Sequence, residues 1–81
     1  MSGRVEFHAA ALAQLDGLPA EAFDALVRRA TELVVAPWDS MALGAGEPAF
    51  RQTTFHPLGL LSFYVDDSRQ LLRIFDVTWV G

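Results

Sequence analysis

Cysteine is absent from this chain, and with it go disulfides, thiolate nucleophiles and cysteine-type zinc sites. Lysine and asparagine are absent as well, Ile74 is the sole isoleucine and Tyr64 the sole tyrosine. All six basic residues are therefore arginines (Arg4, Arg28, Arg29, Arg51, Arg69 and Arg73), against ten acidic residues, for a formal net charge of -4. Such a balance repels phosphate backbones at long range, so nucleic acid is not expected as a direct partner. The one adjacent basic pair, Arg28-Arg29, shares its segment with Asp24 and Glu32. There are two histidines, His8 and His56, and neither an HxH nor an HxxxH spacing. A metal site would have to join both to a carboxylate such as Asp76, so none is expected, and no cofactor is implied. No apolar run approaches membrane length, and no charged-then-apolar leader follows Met1. Neither secretion nor membrane spanning is expected, and a cytoplasmic location is the default.

What is present suits one small globular domain spanning residues 1–81: 52% of the residues are hydrophobic and 20% charged. A chain this short buries roughly 60% of its unfolded surface, so a partner chain or a homodimer contact is a reasonable expectation.

The last third is the most informative stretch. Residues 50–55, 58–65 and 71–80 read as three strands in a row. The connections between them, His56-Pro57 and residues 66–70, are too short for crossover helices, which predicts an antiparallel meander. Upstream, residues 4–8 alternate, with Val5 and Phe7 on one side and Arg4, Glu6 and His8 on the other, as a half-buried strand does. Leu12, Leu15 and Leu18 predict a short helix over residues 9–18, ended by Gly17 and Pro19. Pro19 then suits the first turn of a second helix, in which Phe23, Leu26, Val27, Ala30, Leu33 and Val34 form one stripe, and Pro37 stops it. Residues 36–48 read as a packed loop carrying Trp38, Met41 and Leu43. The expected fold is α+β, in the order β-α-α-β-β-β, with two helices on one face of a mostly antiparallel four-stranded sheet.

Parity along the strands predicts the faces once a register is chosen. If Val65 pairs with Leu71, then Leu61, Phe63 and Val65 share the core face with Leu71, Phe75, Val77 and Trp79, and Arg73 joins them near an edge. The other face then collects Ser62, Tyr64, Asp76 and Thr78 with Leu60, Leu72 and Ile74. A surface that apolar calls for a cover.

This order, with a helical hairpin turning at Leu18-Pro19, Pro37 after the second helix, Phe50-Arg51 in the following strand and Tyr64-Val65-Asp66-Asp67 leading to the last one, resembles the RelE/ParE toxin superfamily over nearly the whole chain. The resemblance implies a bacterial type II toxin, held inactive by a cognate antitoxin whose segments wrap it. It also implies a ribosome or DNA gyrase target, since some members cut messenger RNA in the ribosome and others act on gyrase. In the ribonuclease branch the working groups are basic or acid/base side chains on the sheet and a C-terminal pair such as His-Tyr. Arg51 matches the family's arginine. Leu61, Ser62 and Phe63 occupy the places that usually supply another, and Trp79-Val80-Gly81 stands where the C-terminal pair would be.

Cleavage of RNA through its own 2′-hydroxyl needs a base, an acid and positive charge on the developing phosphorane. If the chain is an mRNA endoribonuclease, Arg51, His56 and Tyr64 are the candidate catalytic residues, and one arginine cannot fill all three roles. The reading preferred from sequence is a toxin-like protein acting mainly through protein binding, with a non-toxic acidic binding or inhibitor module as the alternative. Trp79, Tyr64 and Asp76 are the candidate partner-binding residues. Trp79 is an aromatic anchor near the end of the last strand, where an edge is left for another chain. Asp76 is a carboxylate among apolar neighbours, and Arg51 is its expected ion-pair partner.

Overall fold

The computed structural model describes residues 3–44 and 46–81. A first strand, β1 (Arg4–Phe7), leads into a short helix, α1 (Ala9–Gln14), and a 3-10 turn at Leu15–Gly17. The long helix α2 (Ala20–Val35) follows, then β2 (Met41–Ala42), β3 (Phe50–His56), β4 (Gly59–Asp66) and β5 (Leu71–Trp79). The sheet runs β1-β5-β4-β3-β2, with β1 parallel to β5 and every other neighbour antiparallel. Among the described residues it has five strands rather than four, because Met41 and Ala42 pair with Gln52 and Arg51 inside the stretch expected to be loop. Two residues are too few to show an alternating pattern, so no period marks this edge strand.

Local chemistry sets the element ends. His8 caps α1, its Nδ1 accepting the Ala10 N–H at 3.4 Å. Pro19 sits at the N-cap of α2 with extended backbone, Glu21 occupies the first turn, and the helix stops one residue ahead of the Ala36-Pro37 step. Asp66 closes the turn into β5 by accepting from the Arg69 N–H and the Ser68 hydroxyl, and Gln70 leaves that turn in the left-handed region at φ 53°.

One apolar cluster joins both helices to one face of the sheet. Its fully buried large side chains are Leu26 and Leu33 from α2, Leu61 and Phe63 from β4 and Ile74 from β5. Burial of each contributes about 1.5–3 kcal/mol. The buried line of α2 is Ala22, Leu26, Ala30 and Leu33, while Phe23 and Val27 from the expected stripe are 42% and 47% exposed. Alanine at 22 and 30 lets the helix axis approach the sheet, which rotates the larger Phe23 and Val27 toward the flank. In α1 the same substitution of small for large occurs: Ala11 is fully buried and Leu12 is 55% exposed.

The faces of β5 differ from the parity expectation. Leu72, not Leu71, pairs with Val65, and Asp66 pairs with Leu71. That one-residue slip turns Leu72 and Ile74 into the core and Arg73 out of it. Between the pairs Phe63↔Ile74 and Ser62↔Asp76 the register shifts, leaving Phe75 as an extra residue on β5. The bulge restores the original parity beyond it, so Val77 is again buried beside Leu61. Phe55 keeps the parity of Arg51 and Thr53 and lies in the core, and a second shift between Thr54 and His56 follows at the hairpin end. The outer face therefore loses Leu72 and Ile74 and acquires Arg73 and Phe75.

Candidate functional site

The residues singled out in the sequence are divided by the sheet. Arg51 pairs with Phe63 across β3 and β4 and so lies on the helix side, whereas Tyr64 pairs with Phe50 and with Arg73 on the outer side. Three hydrogen bonds hold the Arg51 guanidinium: Nε donates to Ser40 Oγ at 2.7 Å, NH2 to the Ser40 carbonyl at 2.6 Å, and NH1 to the Pro48 carbonyl at 3.0 Å. It also lies 5.2 Å from the centre of the Trp38 ring. Arg51 thus pins the segment around β2 onto β3. Arg29 does similar service from α2, donating to Glu32, to the Asp39 carbonyl and to the Thr53 hydroxyl.

His56 stands at the β3–β4 hairpin, where its Nδ1 accepts the Leu58 N–H at 3.1 Å and its ring meets Trp79 edge-on at 4.8 Å. Trp79 in turn stacks on Phe55 at 6.5 Å and packs against the core. Arg51, His56 and Tyr64 consequently occupy three separate places: the inner side of an edge, a hairpin end and the outer face.

Asp76 does not meet Arg51. Its Oδ1 accepts from Gln14 Nε2 at 3.1 Å and its Oδ2 from the Thr78 hydroxyl at 2.9 Å. The reason is topological: Arg51 belongs to β3, which is separated from β5 by β4, and it faces the helices.

What the structure does assemble is an aromatic group on the outer face. Phe50 of β3, Tyr64 of β4 and Phe75 of β5 come together with Phe50 at the centre, its ring 5.0 Å from that of Tyr64 and 5.9 Å from that of Phe75. With Arg73 they line an open basin of about 320 Å³. Phe50 remains 40% exposed. Sequence parity could not find this group, because Arg73 and Phe75 face outward only through the one-residue slip between β4 and β5; Tyr64 was the one member it placed correctly.

The charge on this face is nearly balanced. Arg73 lies 3.5 Å from Glu6 on β1, and Arg4 lies 3.8 Å from the same carboxylate. With Asp76 on β5 the described residues of this face carry no surplus of positive charge, and neither His8, which caps α1, nor His56 joins the basin.

By sequence the chain matches no family model and no curated protein. By structure it is similar to a double arginine-to-alanine variant of the Escherichia coli toxin RelE in complex with the antitoxin RelBc peptide. The TM-score is 0.84 at 17% identity, over 100% of this chain and 86% of that one. The fold is that of the RelE toxins. An archaeal RelE–RelB complex from Pyrococcus horikoshii OT3 superposes with TM-score 0.78 at 18% identity, over 100% and 98% of the two chains. The E. coli DinJ-YafQ toxin-antitoxin complex superposes with TM-score 0.64 at 16% identity, over 98% and 93%. Within the RelE fold, then, this sequence places an aromatic basin and a pair of arginines that share Glu6 on the face of the sheet opposite the helices.

Proposed function

We propose that this chain is the toxin-like component of a type II toxin-antitoxin pair, that it acts in the cytoplasm by binding protein, and that a cognate antitoxin neutralises it by covering the outer face of the sheet. The RelE fold supports the first part. The second rests on one observation: the outer face offers Phe50, Tyr64 and Phe75 around a single nearby arginine that already faces Glu6. Aromatic side chains around an arginine are the composition of a protein interface centre. RNA cleavage would require an acid, a base and unpaired positive charge at one place, and Arg51, His56 and Tyr64 are not gathered at one place.

A second reading, a non-toxic acidic binding module on the same fold, is favoured by the net charge of -4. Induced expression in bacterial cells separates the two. The toxin reading expects growth arrest, relieved by co-expression of a small protein encoded beside it; normal growth together with a stable complex supports the binding module. Ribosome-bound message should stay intact with the purified chain. Cleavage lost in Tyr64→Ala or Arg73→Ala would restore the ribonuclease.

A further inference from the structure

The end of the molecule where α2 stops carries a pocket on the helix side of the sheet, opposite the aromatic basin, of about 220 Å³. That is below the roughly 300–1,000 Å³ typical of small-molecule sites, and it suits a single inserted side chain. Its floor is core: Leu33, Val65 and Leu72 are 0%, 5% and 3% exposed. Part of its lip is apolar too, although it stands in water, with Val35 84% and Trp38 48% exposed beside the polar side chains of Arg4, Asp66, Asp67 and Gln70. An apolar floor reached past Val35 and Trp38 can receive an apolar side chain without burying a polar group beneath it.

The electrostatics of the rim select what accompanies that group. The sixteen-residue α2 ends at this pocket with no basic residue in its last turn, so the helix itself does not compensate the negative end of its dipole. Asp66 and Asp67, from the turn ahead of β5, form part of the lining. Asp66 is engaged by Arg69, but among the described residues Asp67 has no ion-pair partner. Arg4 also borders the pocket, yet its guanidinium is directed to Glu6. An anion would meet like charge here, and a cation would meet both Asp67 and the helix carbonyls.

We infer that this pocket is a docking site for a protein segment in which an aliphatic or aromatic residue is followed directly by arginine or lysine. The apolar side chain enters between α2 and the sheet, and the cation rests against Asp67 and the end of α2. The inference stands apart from the toxin reading, since a binding module on this fold would present the same pocket.

Titration of the isotopically labelled full chain with acetyl-Leu-Arg-amide and with acetyl-Leu-Glu-amide, followed by amide chemical shifts, tests it. The arginine peptide should move the amides of Leu33, Val34, Asp67 and Leu72 saturably, and bind up to about fivefold more tightly than the glutamate peptide, the ratio an exposed ion pair can supply. Asp67→Arg, a change at an exposed turn position, should erase that preference while leaving the fold intact. Absence of shifts at millimolar peptide, equal shifts from both peptides, a preference that survives Asp67→Arg, or shifts centred on Phe50 and Phe75 would each overturn the assignment. So would shifts at the same amides on raising protein concentration alone, which would make a second copy of the chain the occupant.

Discussion

Gln14 completes the edge of β5 that β1 leaves uncovered: its Oε1 accepts the Val77 N–H at 2.8 Å while its Nε2 donates to Asp76. β1 pairs only with residues 71–74, so a side chain from α1 continues what the strand began. Replacing it by alanine leaves a part-buried backbone donor without its partner. Gln14→Ala should lower stability by about 1–2 kcal/mol in urea unfolding, and the Val77 amide should exchange with solvent faster than in the parent chain. An unchanged exchange rate at Val77 would mean that the bridge contributes nothing.

Arg51 is expected to behave as a structural residue. Arg51→Ala removes three hydrogen bonds and the stacking on Trp38 together, at a cost of about 1–3 kcal/mol. Tryptophan fluorescence should report the freed Trp38. Because Arg51 faces the helices, partner affinity at the outer face should change by less than about threefold, within the usual span of a surface substitution. Loss of affinity with stability unchanged would place Arg51 in the interface.

Gly59 tolerates no side chain for a reason of space. A Cβ there would sit 2.4 Å from Cζ of Phe55, whose ring covers the glycine on its way to Trp79. Gly59→Ala should destabilise by about 1–3 kcal/mol as Phe55 is driven off its packing. Thermal unfolding checks this, and the double variant Gly59→Ala with Phe55→Leu should recover part of the loss.

The outer aromatic group separates binding from folding. Phe75 sits on a bulge outside the core cluster, so Phe75→Ser should cost no more than about 1–2 kcal/mol of stability, well below a buried phenylalanine. Affinity for a protein that covers the sheet should fall about tenfold or more, as for an interface anchor. Isothermal titration with the neutralising partner reads the second quantity, and equal affinity for parent and variant would remove the basin from the interface.

Much of the architecture was legible beforehand because it depends on local patterns. The strand at Val5 and Phe7, the helix between Pro19 and Pro37, and the meander forced by His56-Pro57 and the Asp66 turn all follow from spacing and chain length. The stripe of α2 was legible only in part. Leu26, Ala30 and Leu33 are buried as the stripe predicts, but where hydropathy favours Phe23 and Val27, close approach to the sheet favours Ala22. The candidate site was less legible still: of Arg51, His56, Tyr64, Asp76 and Trp79, the basin includes Tyr64 alone.

From sequence alone came the order of the elements apart from β2, the acidic balance and the scarcity of groups placed for RNA chemistry, since these need nothing beyond residue identity and spacing. Only tertiary structure decided which side each strand residue faces. A slip of one residue between Val65 and Leu72, followed by the bulge at Phe75, reverses parity twice along β5, and no period within a single strand records the register of its neighbour.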